Sequence, residues 1–75
     1  MANVIYSRMI DIKVNAKDHK FPSNTSLEFI LNSLKISLDG IAVAINEIII
    51  SKPNWSVTTL VPGDDVLIIK ATQGG

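Results

Sequence analysis

The sequence predicts an α+β fold: a mixed sheet of four to five strands with one helix packed across one face. Three observations carry this expectation. "IDIKVN" alternates strictly, with Ile10, Ile12 and Val14 on one side and Asp11, Lys13 and Asn15 on the other. "PSNTSLEFILNSLKI" changes period and places Leu27, Ile30, Leu31 and Leu34 on one helical face. Alternation returns in "GIAVAIN", and the closing "DVLIIK" is apolar at both parities, as a central strand is.

Taken in order, residues 1–8 form an N-terminal extension and the first strand starts at Met9. A turn at Asn15-Ala16-Lys17 leads to a short strand "DHKF". A two-residue type I′ turn favours Asn-Gly, and Ala16 resists positive φ, so a longer loop is expected. Thr25-Ser26-Leu27-Glu28 fits a capping box, with the Thr25 hydroxyl on an early amide and Glu28 reaching back. Such a cap contributes about 1 kcal/mol. Gly40 is placed where the chain turns out of the helical region. In the next strand Ile41, Val43 and Ile45 share one face and the small Ala42 and Ala44 the other. "EIIIS" is a further short strand, and "KPNWSVTTL" is irregular or one helical turn with Trp55 plugging the core edge. "VPGD" is a type II turn, Pro62 presetting φ and Gly63 supplying the positive φ. This order of strands and helix is that of a β-grasp, with the domain at residues 9–70 and a flexible tail at 71–75 ending in Gly-Gly.

Bulk properties narrow the function. Seventy-five residues make one domain. The formal net charge is zero and no basic run occurs, which argues against nucleic acid or an anionic membrane as partner. With no cysteine there is no disulfide framework, thiolate metal site or thiol nucleophile. No apolar stretch approaches the ~20 residues of a membrane span, and the first residues do not read as a secretory signal.

Two of the four glycines close the sequence. A backbone without Cβ threads a narrow slot and reaches φ values closed to other residues. Extended, Ala71 to Gly75 spans roughly 16–18 Å, enough to enter a partner's active site while the body stays outside. A C-terminal carboxylate activated there must come within about 3–3.5 Å of a nucleotide phosphate.

From Met9 onward the chain resembles the ThiS-type, ubiquitin-like sulfur carriers of thiamine biosynthesis. "IAVAIN", Trp55, Gly63-Asp64 followed by Val66 and Ile68, and the closing Gly74-Gly75 carry the resemblance. It implies a carrier that acts as co-substrate and not as an enzyme. A ThiF-like adenylating enzyme would activate the Gly75 carboxylate with ATP and magnesium, with Thr72, Gln73 and Gly74 lying in its active site. A persulfide-bearing sulfur donor protein would convert the adenylate to a thiocarboxylate. A ThiG-like thiazole synthase would take the sulfur. No cofactor is held stably, and the compartment is the bacterial cytoplasm or the plastid stroma. The family often has Asn-Gly where this chain has Asn15-Ala16 and Asn46-Glu47. Alternatives are a carrier like the small subunit of molybdopterin synthase, a protein modifier that forms isopeptide bonds, and a plain binding module.

Elsewhere, Leu67 and Ile69 are expected to point away from the helix beside Ala42 and Ala44, making an apolar partner surface. The competing arrangement buries Leu67 and Ile69 instead. Phe29 lies opposite the helix's apolar stripe. His19 is read as a surface or rim residue, Asp64 and Asp65 as turn and surface residues, and Lys70 as a solvated charge that could meet acidic groups on a partner.

Overall fold

The structure is a computed structural model and describes residues 8–70. Most of the N-terminal extension and all of the tail at 71–75 lie outside these residues. Five strands form one sheet: β1 (Met9–Val14), β2 (Lys17–Pro22), β3 (Ile41–Ile45), β4 (Ile48–Ile50) and β5 (Asp65–Lys70), in the order β2-β1-β5-β3-β4. Only β1 and β5 run parallel. One helix, α1 (Leu27–Ser33), covers one face, and a 3₁₀ turn (Lys52–Asn54) precedes Trp55.

Alternation decides which face each side chain takes. Ile10, Ile12 and Val14 of β1, Val43 and Ile45 of β3 and Val66 of β5 point toward α1, where Leu27, Ile30 and Leu31 are fully buried. Burying each such side chain contributes about 1.5–3 kcal/mol. Trp55 plugs the core rim as expected, 3% exposed, with its indole N–H donating to the Ile50 carbonyl at 2.8 Å. The Lys52 ammonium lies 5.9 Å from the Trp55 ring centroid.

The first hairpin turn is tighter than the sequence suggested, and the second has the same form. Val14 pairs with Lys17 and Ile45 with Ile48, so each loop has two residues. Asn15 and Ala16 have φ of 51° and 70°, Asn46 and Glu47 of 51° and 72°, the left-handed pattern of type I′ turns. The right-handed strand twist selects this turn even though Ala16 and Glu47 bear its strain.

The helix ends also differ from expectation. Ser26, not Thr25, is the N-cap, and its hydroxyl accepts from the Phe29 N–H at 3.1 Å. Thr25 instead donates its hydroxyl to the Pro22 carbonyl. The neighbouring segment satisfies two further helix amides: Leu27 N–H donates to Thr58 O at 2.8 Å and Glu28 N–H to Trp55 O at 3.0 Å. With Phe29 third after the cap, no capping box forms. The helix stops well before Gly40. Lys35, at φ 59°, takes the left-handed position of a Schellman motif, with Lys35 N–H on Asn32 O and Ile36 N–H on Leu31 O.

Candidate functional site

The sheet face opposite α1 is divided in composition. On β1 and β2 it carries two cross-strand ion pairs, Lys13 with Asp18 at 3.0 Å and Lys20 with Asp11 at 2.7 Å. The Asp18 hydrogen bond raises the Lys13 pKa above its ordinary value, and the same bond lowers that of Asp18. The hydrogen bond to Asp11 likewise raises Lys20. These groups are solvent-exposed, so salt screens them and their contribution is small.

On β5, β3 and β4 the same face is apolar. Ala42 pairs with Ile69, and Ala44 pairs with Leu67 on one side and Ile49 on the other. Leu67, Ile69 and Ile49 are 49%, 46% and 64% exposed. The alanines leave these longer side chains standing above the sheet. Val66 and Ile68 face α1, which settles the parity of β5 with Leu67 and Ile69 outward. Ala42 is exposed, whereas Ala44 is buried between Leu67 and Ile49 and forms floor rather than contact surface. Ile49 was missed from the sequence because "EIIIS" is apolar at both parities.

A network at the turn end of the face fixes where β5 begins. Asp64, expected at the surface, is 7% exposed. Its Oδ1 accepts from Asn46 Nδ2 at 2.9 Å and its Oδ2 from the Val61 N–H at 2.9 Å. Asn46 also accepts from the Asp65 N–H at 3.0 Å. Gly63, at φ 87°, closes the turn as predicted, with Asp64 N–H on Val61 O at 3.1 Å. Asp65 is exposed and points to the other side of β5 from Val66.

The remaining candidates are accounted for individually. His19 is half-buried on the α1 side of β2 and stacks on Phe21, ring centroids 6.2 Å apart. Phe29 is 55% exposed beside a shallow hollow with Pro22 and Asn24. Among the described residues no group of three or more His, Cys, Asp or Glu is placed to hold a metal. Thr72, Gln73, Gly74 and Gly75 lie outside the described residues.

A helix laid across a mixed sheet whose last strand inserts beside the first, with a hairpin on either side, defines a ubiquitin-like β-grasp domain. The profile of the ThiS family matches residues 8–75, and the chain belongs to that family. Its role is therefore that of a sulfur carrier in thiamine biosynthesis. Such small carriers are generally not catalysts and work with adenylating and thiazole synthase enzymes. Among solved structures, the fold is similar to the crystal structure of the thiamine biosynthesis protein ThiS from Geobacter metallireducens. The two share 22% identity over 88% of this chain and 100% of that one, with a TM-score of 0.77. No curated protein matches. No helix among the described residues is long and apolar enough to cross a membrane.

Proposed function

We propose that the carrier is charged at Gly75. A ThiF-like partner, using ATP and magnesium, joins the Gly75 carboxylate to AMP with loss of pyrophosphate. The terminal sulfur of a donor protein's persulfide attacks that acyl carbon and AMP leaves. A thiol then cleaves the S–S bond and releases the thiocarboxylate, whose sulfur a ThiG-like synthase incorporates into thiazole. The chain supplies no catalytic group to these steps and holds no cofactor. Its contribution is the presentation of a slim C-terminal segment, Thr72, Gln73, Gly74 and Gly75, from a rigid body. The setting is the bacterial cytoplasm or the plastid stroma.

The observation that carries this reading is the family match running through Gly75 on a chain whose final strand is held in the sheet interior. Ile69, on the exposed apolar face, stands two residues before the tail begins, so a partner that covers this face also receives the tail. Ordering the tail costs about 1–2 kcal/mol per residue, and contacts from Ala42, Leu67 and Ile69 offset that cost. Mass spectrometry of protein purified from cells that make thiamine tests the reading: charging adds about 16 Da, sulfur for oxygen, at Gly75. Extending the chain by one residue beyond Gly75 should abolish ATP–pyrophosphate exchange with the fold intact. Ordinary exchange by that variant would overturn the mechanism.

A further inference from the structure

The parallel partner of β5 runs out before β5 does. Pairing between β1 and β5 covers only Lys13 with Asp65 and Val14 with Val66, and the chain then turns away at Asn15. The other side of β5 stays paired with β3 through Ile41 and Lys70. Backbone groups alternate sides along a strand, so Ile68 and Lys70 point theirs at the vacated position. The Asn15 side chain fills the first vacancy: its Oδ1 accepts from the Ile68 N–H at 2.8 Å. No hydrogen bond among the described residues engages the Ile68 carbonyl or the Lys70 N–H from that side.

A groove of about 560 Å³ lies along this edge on the α1 side. Ile36, Ile41 and Ile68 form its apolar lining, and Asn15 borders it. Among the described residues Lys35 and Lys70 are the charged groups that line it, and neither forms an ion pair there. An unpaired strand edge beside an apolar groove is a site for an added strand. Two basic residues flanking that groove, with no acid lining it, select an acidic occupant.

We propose that the β5 edge at Ile68–Lys70 accepts an extended, acidic segment of a partner protein as a sixth strand, collinear with β1. Alternation sets the motif. Side chains of the added strand that face the groove fall at every second position. An aliphatic residue meets Ile36, Ile41 and Ile68, and acids two positions to either side meet Lys35 and Lys70. This surface is distinct from the apolar open face and lies on the opposite side of the sheet, so the inference goes beyond the sulfur-carrier reading and does not depend on it.

The test titrates the full chain, labelled with ¹⁵N, with acetyl-Glu-Thr-Ile-Thr-Glu-amide. The expected result is saturable shifts of the Ile68 and Lys70 amides, abolished when the peptide's backbone amides are N-methylated. A Lys35→Asn, Lys70→Glu variant should bind at least tenfold more weakly, since Asn keeps the left-handed backbone at position 35 while removing its charge. Its amide spectrum reports that it is folded. The proposal is overturned by no shifts at millimolar peptide, by equal binding of the Lys-Thr-Ile-Thr-Lys counterpart, or by shifts confined to Ala42, Leu67 and Ile69. Concentration-dependent shifts of the same amides without peptide would also overturn it, because a second copy would then fill the edge.

Discussion

Asn46 Nδ2 donates to Asp64 Oδ1 at 2.9 Å, tying the β3–β4 turn to the residue that launches β5. Asp64 also receives the Val61 N–H, so one buried carboxylate ties the β3–β4 turn to the loop before β5, just beyond the Ile45–Val66 pair. Asp64→Ala leaves both donors without this acceptor in a site of little water access. The expected loss is about 2–4 kcal/mol. In a domain of this size that lowers the melting temperature by roughly 10–25 °C. Asp64→Asn, which keeps one carbonyl acceptor, should lose about half as much. Thermal melts of the two variants check this, and equal stability of Asp64→Ala and the parent would remove Asp64 from its structural role.

Ala16 and Glu47 occupy the second position of their turns at φ of 70° and 72°. An L-residue there costs about 1–2 kcal/mol, which glycine avoids. Glycine returns part of the gain through the larger entropy of its unfolded chain. Ala16→Gly and Glu47→Gly should therefore each stabilise by a net ~0.5–1 kcal/mol. Urea denaturation midpoints read this directly, and a lower midpoint for either variant would show that its side chain makes compensating contacts.

These turns mark where sequence reasoning ran out. The period of β1, the face of α1, the Trp55 plug and the Gly63 turn were legible because each depends on residues close in sequence. Parity along β5 stayed open between two arrangements because Val66, Leu67, Ile68 and Ile69 are all apolar. The N-cap slipped by one because Thr25 and Ser26 are adjacent hydroxyls that both fit, and only the Thr25–Pro22 contact separates them. The helix end was misplaced because Lys35 adopts a backbone conformation usually left to Gly or Asn. Contacts such as Asn15 with Ile68 join residues 53 apart, and no local pattern announces them. Of the candidate surface, Leu67 and Ile69 were expected outward, but both parities of β5 are apolar and only burial in the fold decides between them. Ile49 and the Asn46–Asp64 tie required the register of three strands.

The charged half of the open face should leave a mark on stability against pH. The Asp18 pKa lies below its ordinary 3.8 in the folded state, chiefly through its hydrogen bond from Lys13. Its contribution is therefore present above about pH 4 and is lost as pH falls through the depressed folded value. Lys13 is raised above 10.5 by the same bond, so its contribution is present below that value and lost as pH rises through the folded one. Asp18→Asn should flatten the acid limb slightly below about pH 4, and molar salt should do the same to the parent. Urea midpoints taken across that range decide it; an unchanged acid limb in Asp18→Asn would assign the acid loss to other carboxylates.

Leu67 and Ile69 sit about half exposed on the face away from α1, while Val66 between Asp65 and Leu67 is fully buried. A carboxylate at position 67 or 69 keeps its water, and one at position 66 does not. Leu67→Asp and Ile69→Asp should thus cost no more than about 1–1.5 kcal/mol, whereas Val66→Asp should unfold the domain. Both outward variants also place a charge on the face proposed above to meet a ThiF-like partner, so their affinity for it should fall at least tenfold, about 1.4 kcal/mol. Ala44→Gly, altering the floor between Leu67 and Ile49, should weaken binding far less. Calorimetric titration of the folded variants separates these effects. Wild-type affinity in both Leu67→Asp and Ile69→Asp would place the partner on another face, while unfolding of either would reverse the orientation of β5.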